Sequence, residues 1–266
     1  MIFSNRSSQM GALKAFALGL AMAGLSVGCG SGGSSSSQAG IEVSVNARLS
    51  QSAGSDSAVP VASAGEKQFV NTEGTDIVLS KAYLVLWSVE LETNCGNNQF
   101  VDLLQRIGGF LISSAEAHSD EAPNLFSEPH VINILGEENT QRLGAINPSA
   151  NTYCGVSVEM LNADADANNL PADVDMMNKS LYLEGTYQLA GSDTPQSFQV
   201  STGKSLLTAS RLFSPALSLD SANLSSDITV KIVYDRWFDG VDVSRISEDA
   251  YLDLLLNNVS GSIVLY

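Results

Sequence analysis

Apolar and polar residues alternate with a period of two along several segments of this chain. The clearest segment is 41–49, where the apolar positions are Ile41, Val43, Val45, Ala47 and Leu49. This period is typical of a β-strand that has one face in a core and the other in solvent. The longer segment 77–91 has apolar residues at nearly all odd positions and, in its middle, at even positions too. It predicts a single long central strand whose second face is partly covered.

The same alternation predicts further strands at 152–160, 179–189, 196–201, 227–235 and 263–266. In the first of these, the residues expected to face the core are Cys154, Val156, Val158 and Met160. One helix is predicted after Ser247, which is a good N-cap, and this helix has an apolar stripe and ends at Gly261. Short strands separated by turns predict an all-β fold, an antiparallel β-sandwich with one C-terminal helix and long loops.

The first 28 residues have the order of a secretory signal peptide. Arg6 and Lys14 precede an apolar run at 15–27, and small residues come just before Cys29. The run is shorter than the roughly 20 residues that a membrane-spanning helix needs. We therefore expect residues 1–28 to be a signal peptide that is removed during export.

The sequence Leu-Ser-Val-Gly at 25–28, followed by Cys29 and a Gly/Ser run, resembles the lipobox of bacterial lipoproteins. The resemblance implies that Cys29 carries acyl chains such as palmitate and becomes the mature N-terminus. Gly30 in place of an aspartate implies the outer membrane rather than the inner one. The alternatives are a secreted protein with an unmodified cysteine and a short uncleaved anchor. Residues 29–40 are then expected to form a flexible tether, and residues 41–266 a single β-sandwich domain.

The chain is strongly acidic, with 29 Asp and Glu against 13 Lys and Arg and a net charge of −16. Such a surface repels nucleic acid and anionic lipid headgroups. We therefore expect no nucleic-acid partner, and contact with the membrane only through the N-terminal lipid. An envelope protein or a glycan remains as the expected partner.

Three cysteines are present. If Cys29 is lipidated, Cys95 and Cys154 are left as a pair in an oxidising compartment, which predicts a disulfide. The alternative, two thiolates on a metal ion, lacks the close C-x-x-C spacing of such sites.

Two groups of side chains could bind a metal ion. His118 and His130 are the two histidines of the chain, and a pair of imidazoles could ligate copper or zinc. Asp164, Asp166 and Asn168 place oxygen ligands at alternate positions, as at the start of a calcium loop. The alternatives are two histidines in exposed loops and a solvated acidic loop. Copper and calcium are therefore the possible cofactors.

An aromatic turn could serve as a binding rim. Arg236, Trp237 and Phe238 lie among carboxylates at 235–242, and aromatic residues and arginine dominate binding hot spots. The alternative is a packed aromatic turn in which Arg236 bridges Asp235 or Asp239. The sequence contains no G-x-S-x-G, H-E-x-x-H, P-loop or dinucleotide motif, so we predict no enzymatic activity.

A lipobox, an alternating first strand, the segment 77–91 and an inner strand approached through 148–158 follow one another in this chain. This order resembles the methanobactin-associated copper-binding lipoproteins of the periplasm. The resemblance implies a copper site made from histidines and a modified tryptophan. Its possible counterparts in this chain are His118, His130, Trp87 and Trp237.

The expected function is that of a lipid-anchored binding or structural module of the cell envelope, with no ligand specified by the sequence. One alternative is a periplasmic copper-binding or other metal-binding protein. The other is a carbohydrate- or protein-adhesion module that uses the aromatic turn.

Overall fold

β-Strands make up most of the regular structure. The structure is a computed structural model that describes residues 40–52, 65–95, 122–207 and 210–266. All the elements below belong to one unit, Ser35–Tyr266. They are β1 (Glu42–Ser50), β2 (Lys67–Val70), β3 (Asp76–Leu86), β4 (Ser88–Glu92), β5 (Leu125–Phe126), β6 (His130–Asn133), β7 (Thr140–Ile146), β8 (Asn151–Met160), β9 (Leu181–Gln188), β10 (Gln196–Thr202), β11 (Leu206–Leu207), β12 (Arg211–Leu219), β13 (Ser225–Val233), α1 (Asp249–Gly261) and β14 (Ile263–Leu265). The prediction of an all-β sandwich with a C-terminal helix is confirmed.

The strands form three hydrogen-bonded sheets. Sheet I has the order β14-β13-β1-β7. Sheet II has the order β10-β9-β3, and β2 and β6 follow one another along the far edge of β3. Sheet III has β8 at its centre, with β11 and β12 on one side and β4, then β5, on the other. The pairs are antiparallel as expected, except that β1 and β13 run parallel.

The first strand, β1, is a central strand. The five apolar side chains predicted to face inward from 41–49 are all buried. β13 pairs with β1 along its whole length, from Glu42 opposite Ser225 to Ser50 opposite Val233. A parallel pair cannot be closed by a tight turn, and here the connection is the whole chain between the two strands. The two ends of the domain are therefore held in one sheet.

The segment 77–91 forms two strands and not the single strand predicted. It divides at Trp87, where the chain leaves sheet II as β3 and enters sheet III as β4. Within β3, the pairing with β9 shifts by one residue between Leu79 and Lys81. Leu79 is buried, Lys81 is only partly buried, and Ala82 takes over the core-facing row. This β-bulge and the change of sheet explain why apolar residues occupy both odd and even positions.

The predicted disulfide between Cys95 and Cys154 is present, with the two Cα atoms 5.9 Å apart. Cys154 lies on β8, and Cys95 follows the end of the neighbouring strand β4. The prediction that Cys154 faces the core is wrong, because it is only partly buried and Tyr153 belongs to the core instead. The next three predicted core positions of β8 are buried as expected. The two cysteines are 59 positions apart, and closing such a loop stabilises the fold by about 4 kcal/mol in the chain-entropy model.

The helix α1 begins at Asp249, and Glu248 occupies its N-cap position. The prediction of Ser247 as the N-cap is therefore wrong. Its predicted apolar stripe is confirmed by the burial of Leu255, Leu256 and Val259. Within the described residues, no helix combines the length and the apolar character needed to cross a bilayer.

The main apolar core receives side chains from all three sheets and from α1. A second, smaller cluster lies on the outer face of sheet II. There Val85, Val131 and Tyr182 contact apolar residues of the loop 162–179, which we call the acidic loop. The acidic loop is therefore packed against the sheet and is not simply solvated.

We expect Gly185 on β9 to be required for the bulge in β3. A Cβ atom at this position would lie 2.0 Å from the carbonyl oxygen of Val78, so Gly185→Ala has to displace backbone. Overpacking of this kind costs about 1–3 kcal/mol. Urea unfolding followed by circular dichroism should show this loss of the free energy of unfolding.

Gly261→Ala is the matched control, since a Cβ atom added there, at the end of α1, would have no neighbouring atom within 4 Å. Its stability should be unchanged or higher by up to about 1 kcal/mol, because alanine favours a helix over glycine. Equal unfolding midpoints for Gly185→Ala and Gly261→Ala would contradict the role of Gly185.

Candidate functional site

The outer face of sheet II carries a shallow open groove of about 420 Å³, which we call the strand groove. Polar side chains from three adjacent strands line it, among them Ser80, Glu184, Thr186, Ser197 and Gln199. Hydroxyl, carboxylate and amide groups therefore face the same open volume. These groups can both donate and accept hydrogen bonds.

A second groove of about 370 Å³, the corner groove, lies where sheet II meets β1 and the acidic loop. Arg48 of β1, Tyr83 of β3 and Asp173 of the acidic loop contribute to its wall. Its amide side chains are Asn133, Asn139, Gln141 and Asn169. Asn169 has a φ of 61°, a left-handed conformation that asparagine adopts more readily than other non-glycine residues.

A row of polar side chains, the polar strip, joins the two grooves. Its members are Lys81, Tyr83, Asp173, Tyr182, Glu184 and Gln199. The Nζ atom of Lys81 lies 3.5 Å from Oδ2 of Asp173 and 3.9 Å from Oε2 of Glu184. Asp173 lines the corner groove and Glu184 lines the strand groove. One ammonium group therefore connects the carboxylates of both grooves.

Two tyrosine hydroxyls orient these carboxylates. Tyr83 donates to Asp173 at 3.0 Å, and Tyr182 donates to Glu184 at 2.7 Å. The side-chain amide of Gln199 donates in turn to the hydroxyl oxygen of Tyr182 at 3.1 Å. The side chains of the strip thus hold each other in place.

The surroundings of the two tyrosines keep their hydroxyls protonated. Burial raises the pKa of Tyr182 to about 12, and the hydrogen bond to Glu184 and the charges of Glu184 and Asp173 act in the same direction. Burial also raises the pKa of Tyr83, and the hydrogen bond to Asp173 adds to this effect. Both hydroxyls therefore remain hydrogen-bond donors at any physiological pH.

The polar strip was not predicted from the sequence. In the alternating pattern, Lys81 and Tyr83 belong to the same row as Ile77 and Leu79, and only the bulge in β3 turns them away from the main core. The available signal was a lysine in an otherwise apolar row. Such a residue is expected to mark a break in the strand or a change of face.

The predicted calcium ligands lie in the acidic loop. Asn168 uses its backbone there, since its N–H donates to Pro129 and its carbonyl oxygen accepts from Val131. In the part of the chain that the structure describes, no three or more His, Cys, Asp or Glu side chains are grouped so that they could hold a metal ion. A calcium site at Asp164, Asp166 and Asn168 therefore stays a prediction from the sequence.

Of the two predicted copper ligands, His118 lies outside the described residues. His130 is buried at the start of β6, which makes the alternative of an exposed loop histidine wrong for this residue. Its Nδ1 lies 2.9 Å from the carbonyl oxygen of Glu128, and its ring packs near Phe126 with 5.7 Å between the centroids. His130 is thus held as a packed side chain, and a copper site remains a prediction.

The aromatic turn does not form the predicted binding rim. Trp237 and Phe238 are fully buried in the main core, whereas Arg236, the third predicted rim residue, is exposed. The indole N–H of Trp237 donates to the buried hydroxyl of Ser262 at 2.9 Å. Asp235 accepts hydrogen bonds from Ser52. The turn is a packed structural element, as the alternative interpretation had it.

Comparison of this chain with protein-family models, with curated proteins and with solved structures found no match. The lipobox at Cys29 lies outside the described residues. The resemblance to bacterial lipoproteins, and to copper-binding lipoproteins among them, therefore stays a prediction from the sequence.

We expect Tyr182 to contribute to a loss of stability at high pH. Its pKa is raised to about 12 in the folded chain, whereas that of an unfolded tyrosine is about 10. The contribution is therefore fully present below about pH 10 and is lost as the pH rises through about 12. The free energy of unfolding should fall more steeply over this range in the wild type than in Tyr182→Phe.

NMR of ring-¹³C-labelled tyrosine measures the same effect directly, with Tyr182→Phe assigning the signal. Glu184→Gln removes the neighbouring charge at nearly constant size, and it should lower the titration midpoint of Tyr182. A wild-type midpoint near pH 10 would contradict the environment described for this residue.

Proposed function

We propose that this chain is a lipid-anchored binding protein of the bacterial cell envelope, and that the polar strip with its two grooves binds a hydroxyl-rich ligand such as an oligosaccharide. The observation that carries the proposal is the row of hydrogen bonds and ion pairs from Asp173 to Gln199, which runs from one open groove to the other. A ligand that bridges both grooves has to be extended.

The chemistry of the strip favours a ligand with many hydroxyl groups. Lys81 and Gln199 offer donors, whereas Asp173 and Glu184 offer carboxylate acceptors. A sugar hydroxyl both donates and accepts, so it matches such a mixed set. A polyanion or a polycation would satisfy only one half of it, and the net charge of −16 disfavours the polyanion further.

The pre-organisation of the strip also supports a binding role. A site whose side chains already hold one another loses little conformational freedom when the ligand binds. Tyr182 is 8% exposed, and the hydrogen bonds that it makes to Glu184 and Gln199 fix both groups beside the strand groove.

The anchor is supported by the residues before the domain. The basic residues, the apolar run and Cys29 are in the order of a lipoprotein signal, and two or more acyl chains hold a protein stably on a bilayer. The disulfide between Cys95 and Cys154 fits an oxidising compartment outside the cytoplasm.

Binding is tested with an array of neutral and amino-sugar oligosaccharides, probed with the fluorescently labelled full chain. Lys81→Met and Glu184→Gln should each weaken binding of any retained oligosaccharide by about tenfold or more. The physical reason is that a charge-assisted hydrogen bond contributes roughly 1.5–3 kcal/mol.

Lys231→Met and Glu42→Gln are matched controls on sheet I. Lys231 stacks on Tyr266, and Glu42 pairs with Arg142, and both lie outside the two grooves. Oligosaccharide binding that is equally affected by the control and strip variants would argue against this site. If the chain binds no oligosaccharide on the array but binds a parallel set of cationic peptides, the proposed ligand class is wrong and the ligand is a cationic peptide.

The anchor is tested separately with Cys29→Ser in the full chain expressed in a Gram-negative bacterium. Wild-type chain should be recovered in the membrane fraction, with acyl mass and without residues 1–28. The variant should lose the acyl mass, since serine has no thiol to modify, and the intact mass of each form measures it. A wild-type product that keeps Met1 and carries no lipid would refute the anchor without bearing on the ligand site.

A further inference from the structure

The last strand of sheet II, β10, has one side without a neighbour among the described residues. All of Gln196–Thr202 pairs with β9 on the other side, with no shift of register. A row of backbone donors and acceptors at such an edge is a template for another strand. Natural proteins blunt these edges with charges, proline, bulges or short strands.

The other edges of the three sheets have such protection. β2, β5, β6, β11 and β14 are four residues long or shorter. β12 contains Pro215 and a shift of register in its pairing with β8. β7 contains Arg142, and its register with β1 is irregular. The ring of Phe126 also lies against β7, so close that a Cβ atom on Gly144 would not fit. In contrast, β10 has seven residues and no charge, proline or bulge.

The sequence of β10 is complementary to itself. If two copies pair antiparallel about a two-fold axis at Gln199, this residue faces itself and Phe198 faces Val200 of the other copy. The remaining pairs are Ser197 with Ser201 and Gln196 with Thr202. Aromatic pairs with β-branched residues, and polar pairs that exchange hydrogen bonds, stabilise neighbouring strands. No like charges meet within this strand, although the chain as a whole is strongly acidic.

We propose that two copies of this chain pair through β10, so that sheet II of one copy joins sheet II of the other edge to edge about a two-fold axis. A two-fold contact uses the same patch on both copies and leaves no free edge at that position. Ser197 and Gln199 line the strand groove, so the contact brings the strand grooves of the two copies side by side. The proposal rests on β10 alone and does not depend on the nature of the ligand.

Salt dependence is part of the proposal. Two copies with a net charge of −16 each repel one another over long distances, and this repulsion is screened beyond about 10 Å at about 0.1 M salt. The dimer is therefore expected to be stronger at about 0.3 M salt than at about 0.01 M salt.

Site-directed cross-linking tests the register. In the full chain, Gln199→Cys places two thiols opposite each other, where facing Cβ atoms are about 5 Å apart. Mild oxidation should give a dimer on a non-reducing gel. Ser197→Cys is the control, because residue 197 faces residue 201 of the other copy. The two introduced thiols would therefore lie about four residues apart along the strands, which is about 13 Å. Both variants keep the native cysteines, so the wild type sets the background.

A second variant tests the contact without cross-linking. Gln199→Lys places two ammonium groups opposite each other at an exposed position, and native mass spectrometry should show a monomer where the wild type is a dimer. Thermal unfolding of each variant confirms that it folds.

Absence of a cross-link from Gln199→Cys, with a wild-type monomer at both salt concentrations, overturns the proposal. A cross-link of equal yield from Ser197→Cys overturns the register. Hydrogen exchange distinguishes other occupants of the edge: a monomer in which the outward N–H groups of β10 are protected has a different strand on that edge, which also refutes the two-copy contact.

Discussion

The bulge in β3 determines which side chains reach the surface of sheet II. Before the bulge the odd positions of the strand face the main core, and after it the even positions do. Lys81 and Tyr83 would otherwise continue the buried row of Ile77 and Leu79. The bulge brings the carbonyl of Val78 so close to β9 that only a glycine fits opposite. The polar strip therefore depends on a backbone irregularity and on the one residue type that tolerates it.

The core beneath that surface depends on contacts between distant parts of the chain. β1 and β13 form a parallel pair at the centre of sheet I, and α1 and the aromatic turn cover the same core from the C-terminal end. Such contacts have high sequence separation, so the entropy of closing long loops opposes their formation. The disulfide between Cys95 and Cys154 lowers this cost for part of the chain, because it restricts the unfolded state.

The face and the edge of sheet II differ in their chemistry and have separate consequences. The polar strip presents side-chain donors and acceptors on the face of the sheet, and it suits a ligand that lies across the strands. The edge at β10 presents backbone groups in the plane of the sheet, and it suits another strand. Gln199 belongs to both, since its amide donates to Tyr182 and its position is the centre of β10. A contact between two copies would thus bring two ligand surfaces into one plane.

The sequence predicted elements wherever one face of a strand meets the core and the other meets water. β1, β9, β13 and the stripe of α1 follow such a pattern, and their burial agrees with it. β12 was not predicted, because Leu212, Phe213, Ala216 and Leu217 do not alternate and Pro215 interrupts the pattern. Within the candidate site, the alternation predicted the polar face of β9, but it assigned Lys81 and Tyr83 of β3 to the core-facing row.

By itself, then, the sequence determined the all-β class and the local alternation, because these follow from composition and from neighbours along the chain. It predicted the pairing of Cys95 with Cys154 only through the expected lipidation of Cys29. Only the tertiary structure decided that Trp237 is buried, that Cys154 is only partly buried and that Lys81 lies between Asp173 and Glu184. The physical reason is that the burial of an aromatic turn and the direction of a side chain after a bulge depend on which distant strands become neighbours. A periodic pattern along the chain carries no information about those neighbours.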